Sequence, residues 1–65
     1  MRIETELRGH LPKPGDPDVS IIEEALKLQC TQALVERGCA PASITFGEPW
    51  YEDDAWKIQG AGKEN

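Results

Sequence analysis

A single histidine, His10, and two cysteines, Cys30 and Cys39, are the only imidazole and thiol groups in the sequence. A four-ligand Cys/His zinc site cannot be assembled from them within one chain. With Cys30 inside a helix and Cys39 just past its end, a rise of about 1.5 Å per residue separates them by roughly 12 Å. A disulfide needs Cα atoms within about 7 Å, so both are read as free thiols in a reducing compartment. No apolar run approaches the roughly 18 residues of a membrane helix, and "MRIETELRGH" has no apolar signal core. The expectation is a cytoplasmic protein that makes no use of a membrane. Basic residues are also scarce: 7 Lys and Arg stand against 12 Asp and Glu, for a net charge of −5. That balance argues against direct binding to a nucleic-acid backbone, which calls for a basic footprint.

Length is in short supply too. A chain of 65 residues forms one small domain, residues 1–65, and at this size one core rarely supplies more than roughly 3–5 kcal/mol net. With disulfide and metal set aside, self-association is the remaining support.

What is present reads as strand, helix and hairpin. "RIETELR", about 2–8, alternates Ile3, Thr5 and Leu7 with Glu4, Glu6 and Arg8, the period of a strand with one wet face. Three of the five prolines fall in "GHLPKPGDP"; they remove backbone donors and mark residues 9–15 as an irregular connection. Asp16 is a good N-cap, Pro17 suits the first helical position, and Ser20 with Glu23 offers a competing capping box. From there no breaker occurs until Gly38, so the helix is expected over about 17–37.

That helix carries two apolar surfaces at about 100° per residue. Val19, Ile22, Leu26, Cys30, Ala33 and Leu34 form the wider one. Ile21, Leu28 and Val35 lie almost opposite, and nothing evident in the sequence covers them.

A hairpin over about 42–61 contains "GEPWYEDDAW", where three of the four aromatic rings gather among four acids. With Asp53 at the turn centre, Trp50 faces Trp56 and Tyr51 faces Ala55. Ile44, Phe46, Trp50, Trp56 and Ile58 then share one face, and Tyr51 points away from the other rings. Glu48 would fall on the apolar side, which argues for a bulge near Pro49. The tail 62–65 is expected to fray. The fold class is α+β: a βαββ unit with one long helix packed on a three-stranded sheet, the last strand in the middle. In size and element order the unit is similar to dodecins, small flavin-binding assemblies. The likeness rests on no shared motif, and no residue role follows from it.

Chemistry finds little purchase. His10 stands in a proline-rich connection without a nucleophile motif beside it, and catalysis by a base needs a positioned partner. "EPWYEDD" lacks the spacing of a calcium loop, and "GAGKEN" lacks both the spacing and the following helix of a phosphate-binding loop. The sequence therefore predicts neither catalysis, nor a metal, nor a cofactor.

Two surfaces remain. Ile21, Leu28 and Val35 fit a helix–helix contact in a two-fold homodimer. Trp50, Tyr51, Glu52, Asp53 and Asp54 fit a contact with a protein that has a basic surface, since aromatic rings anchor interfaces and acids steer basic partners. The function expected is a small acidic non-catalytic interaction module. It would act as a regulator, inhibitor or assembly adaptor of the kind common among phage proteins. One alternative is a small-ligand carrier using Trp stacking in an inter-subunit cavity. Another is a nucleic-acid mimic occupying a partner's basic groove.

Overall fold

The computed structural model describes all residues, 1–65. The strand predicted at the start forms β1, Arg2–Arg8, and the helix forms α1, Val19–Glu36. After a 3-10 turn at Pro41–Ser43 come β2, Thr45–Phe46, β3, Trp50–Glu52, and β4, Ala55–Ala61. β4 is the central strand: β1 pairs with it antiparallel on one side, and β2 and β3 pair with it antiparallel, end to end, on the other. The architecture is the α+β unit expected, one helix on an antiparallel sheet with the last strand in the middle. The second expected strand is broken in two, which makes four strands in place of three.

The break has a countable cause. Phe46 pairs with Gly60 and Trp50 with Lys57. Between these pairs the outer chain spends Gly47, Glu48 and Pro49, while β4 spends only Ile58 and Gln59. One extra residue is a β-bulge, and Pro49, with no N–H to give the ladder, sits inside it. The Gly47 amide makes the last bond before the break, to the Gln59 carbonyl at 3.0 Å.

The bulge lies at Pro49 as expected, but a two-residue turn overturns the expected register. Asp53 and Asp54 both have positive φ, 53° and 59°, as a type I′ turn requires. Tyr51 therefore faces Trp56, Glu52 faces Ala55, and Trp50 faces Lys57. The expected Trp50–Trp56 pairing does not form. Trp50 lies on the sheet face turned from the helix, and Tyr51, expected to point away from the rings, joins them.

Helix α1 packs on the other face. Ile22, Leu26, Cys30 and Leu34 are its buried residues, spaced four apart along one stripe. They meet Trp56 and Ile58 of β4, with Ile3, Leu7, Phe46 and Tyr51 closing the sides. The helix starts two residues later than expected. The Asp16 carboxylate accepts from the Asp18 amide at 2.9 Å, forming a local turn ahead of the helix in place of a cap within it. Ser20 does not build a capping box; its hydroxyl donates to the Pro17 carbonyl. The C-terminus follows expectation. Gly38 has φ 92°, its amide bonds to the Val35 carbonyl, and the Cys39 amide bonds to the Leu34 carbonyl, which is a Schellman motif. Cys39 and Leu34 both belong to the buried cluster, the apolar contact that accompanies that motif.

The tail, expected to fray, is hydrogen-bonded along its length. The Gly62 amide bonds to the Met1 carbonyl, the Lys63 carbonyl accepts from Ala40, and the Asn65 amide bonds to Gly38. The Ser43 hydroxyl accepts from the Lys63 amide at 2.8 Å and donates to the Ala40 carbonyl at 2.7 Å. Residues 62–65 thus extend the sheet's backbone pairing past the end of β4. The proline-rich connection is anchored as well: the Trp56 indole Nε1 donates to the Pro12 carbonyl at 2.6 Å, and Leu11 packs on the core.

Candidate functional site

Of the residues singled out for contact, the hairpin set divides between two faces. Tyr51 is half-buried against Trp56, ring centroids 5.4 Å apart at an interplanar angle of 63°, the edge-to-face arrangement that aromatic quadrupoles favour. Trp56 is buried and hydrogen-bonded, so its ring is part of the core. Trp50 is half-buried on the outer sheet face beside Lys57. Glu52, Asp53 and Asp54 are exposed at the tip.

The tip is braced. Arg8 Nη1 donates to the Asp53 carbonyl at 2.9 Å, tying β1 to the turn, and Arg8 Nε pairs with Glu6 at 3.0 Å. Lys57 Nζ lies 3.2 Å from Glu52 Oε1, with its own side chain only 13% exposed. The hydrogen bond that Lys57 donates to the Glu52 carboxylate pushes its ammonium above the ordinary range, helped by the negative charges of Glu52, Glu6 and Asp53. Asp53 and Asp54 project past these pairs with no salt-bridge partner, so the tip's net field is negative. Below it a groove of about 500 Å³ is lined by Arg8, His10, Leu11, Lys13, Tyr51 and Asp54, together with Gly9. It mixes signs, with Asp54 among the cations.

The second set stays together. Ile21, Leu28 and Val35 are 63%, 61% and 42% exposed. Neither the proline-rich connection nor the tail covers them, because the connection is spent on Trp56 and the tail on the far end of β4. Glu24, Ala25 and Gln32 flank the stripe, all exposed.

The cysteines are core residues. Both are free and buried. Burial pushes the Cys30 thiol up, and the hydroxyl of Thr5 beside it partly offsets that. Thr5 Oγ1, itself buried, has no conventional hydrogen-bond partner; a thiol is a weak one. A raised thiol lacks the thiolate character that makes cysteine reactive. His10 is exposed on the connection. No three His, Cys, Asp or Glu side chains gather as a metal site, and no helix is long and apolar enough to cross a membrane.

The face on which Trp50 stands was missed from sequence, and so was the contribution of Lys57 to the acidic tip. The signal for both lies in Asp53–Asp54, where two acids side by side suit a two-residue turn that pairs Trp50 with Lys57; the bulge at 47–49 reconciles that register with Phe46 on the helix face. Comparison with protein-family models, with curated proteins and with solved structures finds no match to this chain.

Proposed function

We propose that this protein is a small acidic, non-catalytic interaction module that pairs with a second copy of itself through α1 and presents its hairpin to a basic protein surface. The observation that carries the reading is the uncovered stripe Ile21, Leu28 and Val35. Three large aliphatics in line on one helix are unusual on the free surface of a monomer, and a chain of this size gains support from association.

Charge selects the arrangement of the two helices. In an antiparallel pair with Leu28 on the two-fold axis, Ile21 meets the partner's Val35, and each Glu24 stands about 12 Å along the axis from its counterpart. In a parallel pair the two Glu24 carboxylates would be level. Antiparallel packing also opposes the helix dipoles favourably.

On this dimer the hairpins present Trp50 as an anchor, with Glu52, Asp53 and Asp54 as a steering rim. Aromatic anchors within a charged rim are the usual composition of a binding hot spot. Tyr51 supports the hairpin from beneath. The ligand-carrier reading is weaker because Trp56 is committed to the core, leaving Trp50 as the single ring to stack on. A regulatory or inhibitory role, including a phage one, fits a module acting by steric and electrostatic contact. Two buried free thiols favour a reducing compartment such as the cytosol. Light scattering tests the pairing: the expected mass is near twice the 7.2 kDa chain. A monomeric mass at high micromolar concentration would remove it.

A further inference from the structure

At the end of the sheet away from the acidic turn, two adjoining hollows of about 420 and 270 Å³ open beside the outer sheet face. Both are lined by Arg2, Thr45 and Ala61, and these three form one row across the sheet, since Arg2 and Thr45 each pair with Ala61. The depth comes from the middle of the row. Ala61 contributes one methyl between two longer side chains, so the central strand is a floor and its neighbours are walls. Lys63 and Ser43 border the first hollow, Gln59 and the Gly47 backbone the second.

The lining is electrically one-sided. In a chain with 12 acids, no carboxylate lines either hollow. Its two side-chain cations are also free, because the three salt bridges use Arg8, Lys27 and Lys57 and leave Arg2 and Lys63 unpaired. Glu4 follows on the same face of β1 but borders neither hollow. Ser43 is occupied with Ala40 and Lys63, whereas Thr45 and Gln59 are exposed and face the same side as the cations.

We propose that these hollows bind the phosphate group of a small phosphorylated ligand. Arg2 supplies a planar fork of donors and Lys63 a compact charge. The Thr45 hydroxyl and the Gln59 amide supply neutral donors. Hydrogen bonds between such cations and an oxyanion are roughly twice as strong as neutral ones. Two cations match a phosphate dianion, while a carboxylate would satisfy only one of them. The site lies at the far end of β4, about 20 Å from the acidic turn at about 3.3 Å per residue. It shares no residue with the helix stripe or the hairpin tip, so it stands or falls apart from the proposed function. Its exposure makes the binding weak and salt-sensitive, with a dissociation constant on the order of millimolar for phosphate alone.

The test is an amide NMR titration of the full, tag-free chain with inorganic phosphate, then with acetate, at ionic strength held constant with sodium chloride. Saturable shifts at Thr45, Gln59, Ala61 and Lys63 are expected with phosphate, and at least tenfold weaker binding with acetate. Arg2→Gln with Lys63→Gln should weaken phosphate at least tenfold, while Arg37→Gln at the helix end should change it less than twofold. The two single variants are titrated alongside, so that a folding defect in the double variant cannot pass for lost binding. Non-saturating shifts, equal binding of acetate, or full affinity in the folded variants would each overturn the assignment.

Discussion

Tyr51 stands directly across the antiparallel ladder from Trp56, edge to face with it at 5.4 Å between ring centroids. Adjacent Trp50 is turned to the opposite face. Neighbouring aromatics on one short strand therefore have different physical roles, and substitution separates them. Tyr51→Ala should cost about 2–3 kcal/mol of unfolding free energy, from lost burial and the aromatic pair. Trp50→Ala should cost under about 1 kcal/mol while weakening binding to a basic partner. Urea denaturation of both variants, with a pull-down from native lysate, checks the division; a Trp50→Ala variant less stable than Tyr51→Ala would contradict it.

The turn offers a gain. Asp53 and Asp54 hold positive φ, a conformation that Asn and Gly adopt more readily. The double change Asp53→Asn with Asp54→Gly should raise stability by about 0.5–1 kcal/mol. It also removes two charges from the tip, so the same protein should bind a basic partner more weakly. A lower melting temperature in this variant would argue against the turn geometry.

Gly60 lies against the helix. A Cβ there would overlap Cys30 Sγ, while Phe46 and Leu34 would be left in ordinary contact with it. Gly60→Ala should destabilise by about 1–3 kcal/mol, as overpacking does. Adding Cys30→Ala should recover part of the loss, because the two sites are in contact and their effects are not additive. Additive losses in the double-mutant cycle would show that the close approach is not the cause.

Stability should fall on the alkaline side. Burial raises the Cys30 thiol above its ordinary value of 9.0, and the Glu52 hydrogen bond raises Lys57 above 10.5. In each case the folded state holds the proton more tightly than the unfolded state. The associated stability is then complete below the ordinary value and is lost as pH rises through the raised one. Denaturant midpoints should decline above pH 9.0, and Cys30→Ala should delay the decline toward the lysine range. An unchanged alkaline slope in that variant would rule out the thiol as its source.

Leu28 lies at the centre of the exposed helix stripe, so Leu28→Glu should give a folded monomer. Placing two like charges on the two-fold axis opposes pairing, whereas an exposed helix position tolerates Glu with little effect on the fold. Sedimentation equilibrium with far-ultraviolet circular dichroism reads both properties. A wild-type dimer that persists in Leu28→Glu would place the interface elsewhere.

The features legible in the sequence were those set by near neighbours. The alternation of Ile3, Thr5 and Leu7, the stripe from Ile22 to Leu34 and the helix stop at Gly38 each depend on a few consecutive residues. The exposure of Ile21, Leu28 and Val35 followed from the same helical spacing. Register was harder, because it depends on how the backbone turns at Asp53–Asp54 and on how many residues Gly47–Pro49 adds, and neither is fixed by side-chain pattern. The pairing of the tail is hidden from the sequence for a related reason. Its partners, Met1, Gly38, Ala40 and Ser43, are distant in sequence, so a glycine-rich segment that looked loose is fastened by contacts that composition does not reveal. The hollows beside Arg2 and Lys63 were invisible for the same cause, since their floor and walls come from three separate strands.

The insertion at 47–49 acts on the hairpin as a change of parity. With the Asp53–Asp54 turn holding Tyr51 opposite Trp56, shortening that segment by one codon would leave composition, charge and hydrophobicity almost untouched, yet would exchange which of Thr45 and Phe46 meets solvent and which meets the helix. Related chains that differ by a single residue in this loop could therefore keep one architecture while displaying a phenyl ring on the face where this one displays a hydroxyl.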